Sequence, residues 1–202
     1  MESNPTRRLR NVKTARKLPV FLNLEEAEAI LTASKDSKFP ERDYAMMKLF
    51  LQTGCRLSEL VGLELSQINL KEMYVRYLGK GSKERIVPLT ESTSQAIRDY
   101  LAVRRPKTQS CKQVFLNNFG GAIAGESVQL YFKTICDKAG IEHKNLSIHK
   151  LRHTCFTLLL KAGVDIATIK EIAGHDDINT TSIYLHVTQN EVRAAMEKHP
   201  FR

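Results

Sequence analysis

A chain of 202 residues, 42% hydrophobic and 26% charged, has enough apolar material for one substantial buried core. No apolar stretch approaches the length of a bilayer-spanning helix, and no apolar signal segment follows the basic N-terminus. The formal net charge of +9 points to a polyanionic partner, either nucleic acid or an acidic membrane.

Residues 1–20 read as a linker without periodicity. They carry Arg7, Arg8, Arg10, Lys13, Arg16 and Lys17 against Glu2, or +5 of the total, so the body holds only +4. This basic segment is either a solvated tail or an arm on nucleic acid. The compact part starts near Phe21. Asn23 with Glu26 marks a capped helix start, followed by Leu24, Ala27, Ile30 and Leu31 at helical spacing. Pro40 opens a second helix, for which Gly54 is the stop, and Leu57, Leu60, Val61 and Leu63 begin a short third one. Met73–Leu78 and Glu84–Leu89 read as strands joined by the glycine-rich turn Gly79–Lys83, a β-hairpin. Thr90–Val103 returns to helix. Val114–Leu116 is a short strand or extended run. Helices follow over Glu126–Ala139, His149–Ala162, and from the cap at Asp165 to Gly174. Thr180–Leu185 carries Tyr184, and Thr188 with Glu191 is a capping box for a last helix to about Lys198. The expected fold class is α+β, mainly helical with a small antiparallel sheet.

Cys55, Cys111, Cys136 and Cys155 show no C-x-x-C spacing and sit in or beside apolar runs, as buried free thiols in a reducing cytosol would. His149 and Arg152, three apart on one helix, share a face from which both can reach one phosphate, while Leu151, Cys155 and Leu158 face the core. An exposed basic patch is the plainer reading of that pair. His153 adds an i, i+4 histidine pair, but without a third ligand at a supporting spacing no zinc site is expected. His175 follows the helix-stopping Gly174 and can project into a cleft. Tyr184 is either a packing residue beside Ile183 and Leu185 or a nucleophile. Arg56, just past a helix end, can be oriented by Glu59 three residues on. Lys80 sits at a hairpin tip, where it is either solvated or carried into a DNA groove.

The segments Thr53-Gly54-Cys55-Arg56-Leu57-Ser58-Glu59-Leu60, Gly79-Lys80-Gly81-Ser82-Lys83-Glu84-Arg85, His149-Lys150-Leu151-Arg152-His153-Thr154, Gly174-His175 and Ile183-Tyr184 carry a resemblance in order and spacing. The sequence resembles the tyrosine recombinase (phage integrase) family, especially its Xer-like bacterial members, over essentially all of residues 21–202. The resemblance implies that family's catalytic-domain fold. It implies a site-specific recombinase or integrase that breaks and rejoins DNA strands without metal or ATP. Tyr184 would be the nucleophile of a 3′-phosphotyrosyl link, and Arg56 and Arg152 would hold the non-bridging phosphate oxygens. Lys80 would be the general acid to the leaving 5′-oxygen. His149 would assist proton transfer at the tyrosine, His175 would hydrogen-bond the scissile phosphate, and Glu59 would support Arg56. Lys83 and Lys150 join the basic residues of the N-terminal segment as DNA contacts.

No cofactor and no metal are implied. Double-stranded DNA is the implied partner, with no membrane. The expected assembly is a monomer without DNA and a homotetramer on DNA, with the C-terminal helix over Thr188–Lys198 either exchanged between protomers on DNA or packed in cis on its own core. Residues 1–20 would be an interdomain linker, the family's N-terminal core-binding domain would be missing, and the chain would be a catalytic-domain fragment with weak, strongly salt-dependent DNA binding. Ala173 stands where the family often has Leu. Two other functions fit the same residues: a catalytically silent DNA-binding module, and a type IB topoisomerase-like relaxing enzyme.

Overall fold

The structure is a computed structural model that describes residues 21–78, 84–141 and 146–174. The basic segment 1–20, Lys80 and Lys83 in the hairpin tip, and His175, Tyr184 and the last helix lie outside the described residues.

Helix α1 (Leu24–Lys35) opens on a reciprocal capping box. Asn23 Oδ1 accepts from the Glu26 N–H at 2.8 Å, and Glu26 Oε2 accepts from the Asn23 N–H at 2.9 Å. Helix α2 (Pro40–Thr53) has its proline in the first turn, where no intrahelical donor is lost. It buries Ala45, Met46, Met47, Leu49 and Phe50, and packs against α1, α4 (Glu91–Val103) and α6 (Ile148–Lys161). This central helix organises a core that also takes in α5 (Gly125–Lys138) and the inner face of the sheet. The short α3 (Leu57–Val61) follows α2 directly. Helix α7 (Ile166–Ala173), capped by Asp165 accepting from the Thr168 N–H, docks on α6 and on the last strand.

The sheet is antiparallel in the order β1 (Ile68–Asn69), β2 (Tyr74–Leu78), β3 (Glu84–Pro88), with Tyr77 opposite Arg85. The expected hairpin and class are therefore present. A third strand accompanies them, too short at two residues to show alternation in the sequence. Of the two readings of Val114–Leu116, a short strand or an extended run, the ladder-paired strand is not formed. Isolated bridges join Gln113 to Glu64 just before the run and Leu116 to Ala122 at its end, and the Arg104 guanidinium donates to the carbonyls of Cys111, Gln113 and Val114. Three of the free thiols are buried as expected, but Cys111 is only half-buried in this loop.

One glycine fixes the geometry that matters for the site. Gly54 ends α2 at φ +59°, and a Cβ there would lie 2.6 Å from the Phe156 ring of α6. Both the left-handed backbone and the close approach of α2 to α6 require glycine.

Candidate active site

Past Gly54 the chain reverses and places Arg56 at the N-cap of α3, with Glu59 one turn in. Glu59 Oε2 accepts from the Arg56 backbone N–H at 2.7 Å, and Oε1 accepts from Arg56 Nη1 at 2.9 Å. A third group completes the cluster. Arg85 of β3 forks onto the same carboxylate, Nη1 to Oε1 at 2.6 Å and Nη2 to Oε2 at 2.7 Å. Arg56 and Glu59 are thus not the surface ion pair that a lone i, i+3 spacing suggests: the Glu59 side chain is only 5% exposed.

Burial alone pushes the Glu59 carboxyl up, but the Arg85 fork and the Arg56 N–H outweigh it and hold it at about 2, against an ordinary 4.5. A carboxylate whose pKa is depressed on folding stabilises the fold above its unfolded value and loses that contribution as pH falls through the folded value. A fall from 4.5 to about 2 corresponds to on the order of 3 kcal/mol at neutral pH. In urea unfolding at a series of pH values, the stability gap between wild type and Glu59→Gln is expected to shrink between about 4.5 and about 2. A gap constant across that window contradicts the assignment.

Arg152 reaches the same place from α6. It is buried at 7% exposure, so the sequence reading of a shared polar face with His149 needs correction: Arg152 is turned inward. It donates through Nη1 to the Gly54 carbonyl and through Nη2 to the Ala173 carbonyl at 2.7 Å, with its guanidinium over the Phe156 ring. The C-terminus of α7 is where the cations meet. Arg85 Nε donates to Ile172 O at 3.0 Å, Arg152 to Ala173 O, and Arg56 Nη2 to Gly174 O at 3.4 Å. Three consecutive carbonyls at the negative end of a helix dipole each receive an arginine.

His149 is exposed in the first turn of α6 and Lys150 is half-buried. His153 is half-buried, and burial followed by the charges of Arg152 and His149 lowers its pKa, which favours the neutral ring. Among the described residues no group of three His, Cys, Asp or Glu is arranged to hold a metal ion.

Tyr77 is the described tyrosine that stacks against this cluster, under the Arg85 guanidinium at 4.7 Å. Its hydroxyl bonds to Thr53 Oγ1 at 3.0 Å, and burial raises its pKa well above the usual value. It is a structural tyrosine. Burial likewise pushes the adjacent Cys55 thiol up to about 11.

A model of the phage integrase family matches residues 20–191. The chain belongs to the phage integrase family. Within it, the chain is 41% identical over 203 residues to tyrosine recombinase XerC of Caldanaerobacter subterraneus subsp. tengcongensis, covering 99% of this chain and 56% of that protein. The crystal structure of XerA recombinase superposes at a TM-score of 0.79 with 30% identity, over 92% of this chain and 67% of that one. XerH site-specific recombinase bound to palindromic difH substrate, a post-cleavage complex, superposes at 0.78 with 27% identity over 89% and 53%. This integrase-family chain therefore spans little more than half the length of the XerC and XerH proteins it resembles. The mainly helical body with a small antiparallel sheet is the tyrosine recombinase catalytic-domain fold.

Of the sequence-nominated residues, the fold brings Arg56, Glu59 and Arg152 together and leaves His149 exposed one turn before Arg152. Lys80, Lys83, His175 and Tyr184 lie outside the described residues. The residue not singled out from sequence is Arg85. Its signal was strand alternation: it shares the inner face of β3 with the buried Val87, an odd place for a charge without a partner.

Proposed function

We propose that this chain is the catalytic part of a site-specific DNA recombinase that cuts and rejoins strands through a tyrosine–phosphate bond. The observation that carries the reading is the meeting of Arg56 and Arg152, from opposite halves of the chain, on adjacent carbonyls at the end of α7. Fixed guanidinium groups there stabilise the charge that grows on a pentacoordinate phosphorus, the work metal ions do in other phosphoryl-transfer sites. Family membership and the likeness to a recombinase bound to DNA support DNA as the substrate.

In this reading the Tyr184 phenolate oxygen attacks phosphorus, the bond from phosphorus to the 5′-oxygen breaks, and a 3′-phosphotyrosyl bond forms. Lys80 gives its proton to the leaving 5′-oxygen, and His149 helps remove the phenolic proton. His175, next in the chain after the arginine-capped end of α7, donates to the scissile phosphate. Rejoining is the reverse attack by a 5′-hydroxyl, so the bond energy is kept and no nucleotide is consumed. Residues 1–20, Lys83 and Lys150 add backbone contacts to the duplex. Assembly of four protomers on DNA, with the C-terminal helix exchanged, belongs to the same reading.

The test is incubation of the chain with nicked duplexes of randomised sequence in EDTA and without ATP. Wild type is expected to form a protein–DNA adduct that survives detergent, and Tyr184→Phe to form none. DNA binding without adduct would instead indicate a silent module. Relaxation of supercoiled plasmid by strict monomers would indicate a topoisomerase-like enzyme.

A further inference from the structure

Arg85 uses all three of its guanidinium nitrogens within the protein: Nε on Ile172 O, and Nη1 and Nη2 on the two oxygens of Glu59. Its side chain is 10% exposed, against 36% for Arg56, and its planar head lies on the Tyr77 ring. Gly174, at φ +59°, leaves room for it, since a Cβ there would sit 3.0 Å from Arg85 Cδ. A phosphate would have to displace one of these bonds to reach Arg85, whereas Arg56 presents an open side to solvent.

Resting on the function proposed above, we propose that Arg85 is a positioning residue of this site. It fixes the Glu59 carboxylate, and through it the Arg56 guanidinium, and it clamps the end of α7 to β3 at the second pair from the turn of the β2–β3 hairpin. The three segments tied together this way, α3, β3 and the end of α7, adjoin Arg56, Lys80 and His175 in the sequence.

The physical reason lies in the sharing of Glu59. Two arginines divide one carboxylate: the Arg56 guanidinium reaches Oε1 alone, the Arg56 backbone N–H takes Oε2, and Arg85 spans both oxygens. Without Arg85, one acceptor position on each Glu59 oxygen becomes free for the Arg56 guanidinium, while the backbone N–H of Arg56 keeps its bond to Oε2. A second, bidentate bond would then turn the Arg56 fork away from its solvent side toward Glu59. Ile172 O would lose its donor at the same time, and the end of α7 would be released from β3. A purely structural ion pair would affect stability and leave the cleavage step of the folded enzyme alone.

The experiment compares wild type with Arg85→Lys, Arg85→Ala and Glu59→Gln on nicked duplexes of randomised sequence. Single-turnover adduct formation and DNA affinity are measured separately across a salt series, under conditions where thermal melting shows each protein folded. Adduct formation in the Arg85 variants is expected to slow about 10- to 100-fold, with affinity within about threefold and the salt slope unchanged. The Arg85→Ala and Glu59→Gln effects are expected to be non-additive in the double variant. If Arg85→Ala does not fold, Arg85→Lys carries the comparison, because it keeps the charge and loses the fork. Cleavage at the wild-type rate in the folded variants overturns the proposal. So does a salt slope lowered by about one, which would make Arg85 a phosphate contact. If wild type itself forms no adduct, the proposed function fails instead, and positioning is read from the Arg56 Nε–H signal by NMR. That signal is expected to shift and broaden in Arg85→Lys, and an unchanged signal sinks the proposal.

Discussion

Arg152→Ala is expected to slow strand cleavage about 10²–10³-fold, the scale on which preorganised donors act in charge-stabilising sites. The same change is expected to lower stability by about 2–4 kcal/mol, because it leaves two inward carbonyls without their charged donor. Those carbonyls are Gly54 O at the end of α2 and Ala173 O at the end of α7, so one side chain holds two helix termini at once. Arg152→Lys separates the two effects. An ammonium keeps the charge near the site but lacks a planar fork able to span both acceptors. It should recover part of the stability and little of the rate. Rates measured in the folded fraction that stay within a few-fold of wild type for Arg152→Ala would remove Arg152 from the phosphate site.

Arg56→Ala is expected to be equally damaging to cleavage, about 10²–10³-fold, while changing stability by no more than about 1 kcal/mol. The contrast follows from exposure. The Arg56 side chain is 36% exposed, its bond to Gly174 O is long at 3.4 Å, and Glu59 keeps the Arg85 fork when Arg56 is gone. Its loss should also lower the salt slope of DNA binding by about one phosphate contact. A large loss of stability with unaltered cleavage kinetics would reverse the roles given to Arg56 and Arg152.

Much of this geometry was legible because local chemistry marks it. The Asn23–Glu26 box, Pro40, and the stops at Gly54 and Gly174 are short-range signals, and the helices begin and end beside them. The pairing of Glu59 with Arg56 was legible for the same reason, being one helical turn long. What escaped notice depends on distant partners. Arg85 finds Glu59 and Ile172, 26 and 87 residues away, and no periodicity announces that. The inward turn of Arg152 escaped for a related reason. An arginine at i+3 from a histidine reads as a polar face until Gly54 and Ala173 supply buried acceptors from other helices. β1 is too short for any pattern, and three adjacent apolar residues at Val114–Leu116 left a short strand and an extended run equally open; the run is buried with only isolated bridges, and Arg104 occupies the neighbouring carbonyls. Recognition of the family rested on combined motifs whose members Tyr184, His175 and Lys80 lie outside the described residues. The roles proposed for them rest on the resemblance, and those proposed for Arg56 and Arg152 also rest on the arginine-capped end of α7.

The most direct measurement is the identity of the amino acid that carries the DNA. Adduct formed on nicked duplexes in EDTA is digested with nuclease and protease, and the nucleotide-bearing peptide is sequenced by mass spectrometry. The expected result is a 3′-phosphate ester on Tyr184, formed about 10²–10³-fold more slowly when Arg56 or Arg152 is alanine. A nucleotide on any other residue, or cleavage that begins only when a divalent metal is added, would contradict the account.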